Sequence, residues 1–432
     1  MRKIKIIASL AISFISLFSS VSAYGEITIE DCVKKAEENY PIIRKYDILS
    51  STREIELDDI NKGWLPKIGA YLQGTGQNVV PKYPEALSGV LQQMGQEVKG
   101  LGKFQYKVGV DLSQTIWDGG ASKVSRELVK SQEEVKRASL DVELYQVRER
   151  VENLFFAIKL IEEQIAQNEI TYNLLHANLE KLRSMLRNGV AMQSDLDMVE
   201  AQMLELKQGI DRARISKEGY IRVLEIYTGQ SLEAESFAMP TADGDNFGES
   251  ERPELRLFEK RLLANSLADK MTEVSLMPKV GFFAQAYYGY PGLDYFKSMM
   301  SRDLSFNIVA GVKVSWNIDS FYTKKNSYKK TALNAEDILA DKELFLFNTR
   351  LNETSERESI RGIKKVMEED SRIVTLRANV RKAAESQLEN GIIDATALLT
   401  KISDENLASL SAQLHKIQYI QEIYKLKYLL NK

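Results

Sequence analysis

The side chains that most often bind metals or attack carbonyls are scarce in this 432-residue chain, which has two histidines and one cysteine. His176 and His415 each lie within a long helical pattern, with no neighbouring cysteine and no metal-type spacing, so neither marks a metal centre or a general base. No glycine-rich loop of the phosphate-cradling kind occurs. No catalytic residue, metal site or cofactor is expected. Cys32 cannot form an internal disulfide, and Ile29-Glu30-Asp31 before it is unlike the apolar and small residues that precede a lipidated cysteine. It reads as a small apolar side chain in a short N-terminal helix.

The informative polar residues gather instead around two Asn-Gly pairs. In "SMLRNGVAMQSDLDMVEA", from Ser184 to Ala201, an apolar heptad pattern stops at Leu186 and resumes at Leu196. Asn188 and Gly189 accept the left-handed backbone that ends a helix, so the chain turns there. Ser194 and Asp195 then stand where a helix start favours a hydroxyl or a carboxylate. The stretch "SQLENGIIDATALLTKI", from Ser386, repeats the arrangement: Leu186, Asn188, Gly189 and Leu196 recur as Leu388, Asn390, Gly391 and Leu398, each 202 positions on. Asp394 holds the second helix start.

A repeat of this kind governs the whole architecture. "NYPIIRKYDI" at Asn39 corresponds to "ERPELRLFEK" at Glu251, and "WLPKIGAYLQ" at Trp64 to "LMPKVGFFAQ" at Leu276. Pro41 and Pro66 are 25 positions apart, as are Pro253 and Pro278. "VGVDLSQTIWDGG" at Val108 pairs with "AGVKVSWNIDS" at Ala310, the second copy being one residue shorter after Ile318. The expected organisation is a first repeat over 24–228, with a helix, a strand pair at 66–74 and 105–116, and a long helical hairpin over 120–228. A linker over 229–252 follows. The second repeat, 253–432, has a helix, strands at 279–290 and 305–318, and a hairpin over 320–430.

Before the first repeat, Met1 to Lys5 is basic, Ile6 to Phe18 is apolar but too short to span a bilayer, and Val21-Ser22-Ala23 fits a cleavage site. Residues 1–23 therefore read as a signal peptide and the mature chain as exported. Removing Arg2, Lys3 and Lys5 takes the formal charge from −3 to about −6, which gives no reason to expect a nucleic-acid partner. Nothing after the leader is apolar for long enough to form a membrane helix.

The four strand segments are a different matter. Tyr106, Val108, Val110 and Leu112 alternate with Lys107, Gly109, Asp111 and Ser113, and a longer alternation runs from Phe306 to Ile318. Ile68, Ala70 and Leu72, and Val280 through Tyr288, give two more. About ten residues of period two is what a tilted strand needs to cross an outer membrane. Alternation also fits four strands of a soluble sheet. In lipid, open edges are not tolerated and four strands cannot close, so a membrane reading requires several chains in one barrel; three would supply about twelve strands. Val312 and Val314 would then face lipid, and Lys313 and Ser315 the lumen.

The helices are long. From Leu140 to Leu186, apolar or aromatic residues alternate in steps of four and three, interrupted only by Asn168, as a coiled-coil seam requires. No proline falls within 117–239 or 292–432, so only the glycine turns break these helices. Gly120 to Asn188 amounts to roughly 100 Å of helix at 1.5 Å per residue. Glu133 and Glu134 read as solvated helix-face charges.

The ordered set, occurring twice behind a leader, resembles the TolC family of outer-membrane efflux ducts, and the resemblance runs from about Ile27 to near Lys432. It implies a mainly α chain with membrane β: a homotrimer whose four strands per chain form a 12-stranded β-barrel in the outer membrane, continued by a periplasmic α-helical barrel. The linker would form part of a belt. Substrates would be driven through by an inner-membrane pump joined by a periplasmic adaptor. The resemblance assigns Asn188, Gly189, Val190, Asn390, Gly391 and Ile392 to adaptor-docking turns. It assigns Ser194 and Asp195 to the periplasmic aperture. On the second repeat, the family's aromatic, basic and two acidic positions hold Leu388, Ile393, Ala397 and Thr400, so the aperture there would close by apolar packing, with Asp394 the only nearby acid. A passive porin would need many more strands in one chain. A periplasmic tether or adaptor would need only one hairpin and a soluble β-rich domain.

Overall fold

The computed structural model describes residues 26–95, 100–232, 236–241 and 247–432. The leader expected over 1–23 lies outside these, as does part of the linker expected over 229–252. The first repeat contains α1 Ile29–Asn39, α2 Ile43–Lys62, β1 Lys67–Gly76, α3 Glu85–Gln93, β2 Phe104–Trp117, α4 Ala121–Arg187 and α5 Gln193–Thr228. The second contains α6 Pro253–Ser275, β3 Lys279–Tyr290, α7 Tyr295–Met300, β4 Ser305–Ser315, α8 Ser320–Glu389 and α9 Ala395–Leu430. No described helix is long and apolar enough to cross a membrane.

Several boundaries differ from the sequence pattern, each for a local reason. Pro41 holds Tyr40 in an extended conformation (φ −64°, ψ 130°) and separates α1 from α2. The strand expected to reach Ile318 stops at Ser315, which lies opposite Lys279, the first residue of β3. The next residue, Trp316, instead donates its indole N–H to the Leu276 carbonyl at 2.8 Å. Helices α3 and α7 were not expected; α7 is held by Asp294, whose Oδ1 accepts the Lys297 N–H at 2.9 Å.

The chain divides into two compact units. One comprises residues 46–138 and 256–342 and contains the sheet, which is antiparallel throughout in the order β1-β2-β3-β4. The register aligns the even-numbered apolar residues across all four strands: Leu72, Val108, Tyr288 and Phe306 form one row, and Ala70, Val110, Ala286 and Ile308 the next. A bulge between Thr115 and Trp117 adds one residue to β2, so that Trp117 pairs with Val280 and stays on the apolar face. Beside the sheet, Lys260 of α6 pairs with Glu134 of α4 at 2.8 Å, and Asn265 of α6 donates to the Thr331 carbonyl of α8 at 2.9 Å. Glu133 is not a solvated charge. It is 8% exposed, and its carboxylate accepts two bonds from Arg137 at 3.1 and 3.2 Å, with Arg53 at 3.8 Å.

The other unit comprises residues up to 45, 139–255 and 343–432. Its core joins α1, α4, α5 and α9 through Ile29, Val151, Phe155, Phe156, Leu224 and Ile417. Cys32 is buried in this core at 1% exposure. The linker enters it as a strand-like bridge, Ile27 N–H bonding to the Ser236 carbonyl and Ala238 N–H to the Ile27 carbonyl, both at 2.9 Å, which seats Phe237 edge-on to Phe155. Glu152 is buried beside this core at 5% exposure. Arg148 donates to it at 2.8 Å, yet burial dominates and pushes its carboxyl up to about 7 from an ordinary 4.5.

A raised carboxyl value means that the folded state holds a proton the unfolded chain has released. Stability from Glu152 is therefore full below about pH 4.5 and is lost as pH rises to about 7, by about 3 kcal/mol at most. Glu152→Gln, which keeps an acceptor for Arg148, is expected to be more stable than the parent at pH 8 and equal to it near pH 4. Helical circular dichroism in denaturant at the two pH values reads this; a parent and variant that stay equal at pH 8 would show Glu152 ionised without cost.

Candidate functional site

The two Asn-Gly turns close their helices in the same way. At the end of α4, Gly189 has φ +74°, and Val190 N–H reaches back to the Met185 carbonyl at 2.9 Å. At the end of α8, Gly391 has φ +69°, and Ile392 N–H reaches the Gln387 carbonyl at 2.8 Å. A six-to-one bond over a left-handed residue is the Schellman closure, and glycine occupies that residue because it carries no Cβ to strain. Space is not the constraint: a Cβ on either glycine would meet no atom within 4 Å.

The aspartates start the next helices. Asp195 Oδ2 accepts the Met192 N–H at 2.9 Å, and Asp394 Oδ1 accepts the Ala397 N–H at 2.8 Å. Each satisfies an N–H that a helix start leaves unpaired, and each places negative charge at the positive end of a helix. Ser194 is exposed beside Asp195. Asn188, Asn390, Val190 and Ile392 are also exposed, the last two at 61% and 70%. Each turn thus offers an aliphatic side chain on a backbone with one fixed shape.

Beneath the turns the two hairpins share one apolar cluster that includes Leu182, Leu196, Val199, Ala395, Leu398 and Leu388. Leu388, expected at the aperture, is 7% exposed and packs among these residues. It lies just before the closing glycine, on the face of α8 that the cluster covers. Ile393 is half-buried against the same cluster, Ala397 is half-buried, and Thr400 is exposed, its hydroxyl donating to the Thr396 carbonyl at 3.0 Å. Residues outside the expected set tie the hairpins together. Lys181 pairs with Glu389 at 2.9 Å, and Asn178, 4% exposed, donates to the Glu385 carboxylate at 3.5 Å. A polar Asn178 beside the seam was the available signal for a buried contact.

The sheet forms the second region of interest. Its even-numbered face carries no ionisable side chain other than tyrosine and is exposed, with Leu72, Val108, Ile308, Val312 and Val314 each more than half accessible. Its odd-numbered face holds Lys67, Lys107, Asp111, Lys279 and Lys313. There Gln285 donates its amide to Asp111 at 2.8 Å, and the Lys107 ammonium sits 4.7 Å from the centre of the Tyr287 ring. His176 is exposed, and His415 contacts Asp370 through Nδ1 at 2.9 Å. Among the described residues no cluster of three or more His, Cys, Asp or Glu could hold a metal ion.

No family profile matches the sequence, and no curated protein does. Solved structures do match. The CmeC outer membrane channel of Campylobacter jejuni is 14% identical with a TM-score of 0.63, over 93% of this chain and 85% of that one. The outer membrane protein VceC of Vibrio cholerae is 10% identical with a TM-score of 0.64, over 93% and 94%. The open-state MtrE outer membrane channel of Neisseria gonorrhoeae is 16% identical with a TM-score of 0.62, over 93% and 88%.

The open space around Gly391 predicts that substitution there costs backbone strain alone. Gly391→Val is expected to lower stability by about 1–2 kcal/mol, and Gly391→Asn, which tolerates the left-handed region, by less. Denaturant midpoints compare the two; an equal loss would place the cost in contacts instead.

Proposed function

From a chain with the fold of the outer-membrane channels, we propose a subunit of an outer-membrane duct that passes substrates across the periplasm and the outer membrane in an efflux or secretion system. The observation that carries the reading is the sheet. One face is apolar, exposed and free of charge, the other is polar, and among the described residues both edge strands, β1 and β4, lack a partner on their outer sides. A lipid-facing surface with a wet opposite side has this distribution, and only closure satisfies edges in lipid.

Three copies bring twelve strands, enough to enclose a water-filled lumen. In this homotrimer the long helices of both repeats form a periplasmic barrel, and the six turns at Asn188-Gly189-Val190 and Asn390-Gly391-Ile392 ring its mouth. Their fixed backbones and exposed Val190 and Ile392 suit docking to a periplasmic adaptor, through which an inner-membrane pump supplies the energy. Ser194, Asp195, Ile393, Asp394 and Ala397 border the mouth as its gate, with Leu388 in the apolar packing that closes it, and the two aspartates combine capping with that role. A single-chain porin is disfavoured by the strand count, and a tether by the apolar sheet face, which it has no use for.

Mass measurement in mild detergent is expected to find a trimer, and a monomer alone would end the reading. Val312→Arg, on the lipid face, is expected to impair insertion by about 2–4 kcal/mol, while Ser315→Arg on the inner face is tolerated; a membrane immunoblot compares them. Gly391→Val should leave the trimer in the membrane and abolish export in a drug-sensitivity or secretion assay, because one misshapen turn per chain spoils three of the six docking points.

A further inference from the structure

The odd-numbered face of the sheet is one-sided in charge as well as polar. It holds four lysines and a single carboxylate, Asp111. Asp111 is bonded by Gln285, and Lys107 lies over Tyr287 near the opposite end of the strands. The other three lysines fall together. Lys67 opens β1 in the row of Ser113 and Phe283, Lys313 occupies the next row opposite Gly281, and Lys279 the one after that, opposite Ser315. Successive same-face rows are about 7 Å apart along a strand, so the three ammonium groups occupy a band about 14 Å tall at the end of the sheet where the chain passes to helices. They line one cleft of about 240 Å³ together with Ser113, Gln114 and Ser315. None of the three forms an ion pair among the described residues.

We infer that this lysine band is an anion-selecting zone at the inner end of the barrel, and that the duct favours negatively charged solutes over positively charged ones at this point. The inference rests on the duct reading, which places the odd-numbered face in the lumen. Three copies set nine lysines around one aqueous passage behind a low-dielectric wall. A passage lined by one sign of charge focuses the field and raises the local concentration of the opposite sign, and rings of lysine are a recurrent way to favour anions and phosphates. The even-numbered face has no charge to oppose this field, and the one acid on the odd face, Asp111 in the row beyond Lys67, leaves three carboxylates against nine lysines in the trimer. A solute class defined by carboxylate, sulfonate or phosphate groups is favoured over quaternary ammonium compounds of equal size.

The test places a reporter thiol in the cleft. Ser113→Cys lies in the Lys67 row, and the native Cys32, buried at 1% exposure, serves as the unreactive background. The detergent-extracted trimer is treated with methyl methanethiosulfonate, which is neutral, and with its sulfonatoethyl and trimethylammonium-ethyl analogues. Relative to each reagent's rate with a free thiol in solution, the anionic reagent is expected at low salt to react about tenfold faster than the cationic one. The ratio should fall toward one in 1 M salt, where screening acts within about 3 Å, and in the Lys67→Gln/Lys279→Gln/Lys313→Gln variant. Failure of the neutral reagent to label Ser113→Cys would overturn the duct reading itself. Labelling by the neutral reagent with no anionic preference, or a preference that survives the triple variant, would overturn the lysine band and leave the duct standing.

Discussion

Four strands in a row leave two rows of unpaired backbone, along the outer sides of β1 and β4, and everything else about this chain must be compatible with them. In water such edges invite pairing with another chain; in hydrocarbon each unpaired N–H or C=O costs several kcal/mol. An exposed apolar face beside unpaired edges makes a lone chain unsuited to either solvent. In the proposed duct the sheet is a fragment of a larger closed object, which is why the proposed function begins with assembly and not with a pocket or a reactive side chain.

The helical part carries two small exposed turns whose backbone geometry is fixed. Each turn is determined three times: by the left-handed glycine, by the six-to-one bond, and by the aspartate that starts the following helix. The shared cluster beneath adds a fourth constraint, because Leu388 and Leu182 belong to different hairpins yet to one core. Moving one turn disturbs the packing of the other. In the proposed trimer, an opening motion at the mouth would involve the pair of hairpins, or else separate this pair from its neighbours.

How much of this was legible in the sequence follows from how local each feature is. Period two announces strands, and four strands stand where the alternation ran; the Asn-Gly turns are written in residues that few other conformations favour. Features that depend on a distant partner were not legible. Glu133 looks like any helix-face acid until Arg53 and Arg137 arrive at it. The burial of Leu388 depends likewise on residues of the other hairpin. The end of β4 was misjudged for the same reason, since alternation continues to Ile318 while the partner strand does not. Of the three lysines in the cleft, Lys313 alone was assigned to the lumen from alternation; their grouping required the register of all four strands.

The single irregularity in the sheet also has a logic of position. The break in register lies between Thr115 and Trp117, near the exit of β2, where the corresponding residues of the second repeat have already left the sheet after Ser315. That bulge lies in the ladder between β2 and β3, the inner strands; the ladders joining β1 to β2 and β3 to β4 are in unbroken register. A bulge at an outer edge would offset by one residue any strand added there, and such a slip turns every later side chain to the wrong face. Kept inside, it increases twist and returns Trp117 to the apolar face without altering the edges. In a barrel closed by copies of one chain, β4 of each protomer must pair with β1 of the next, and regular edges are what that pairing needs. The break in register is therefore confined to the part of the sheet that each chain completes by itself.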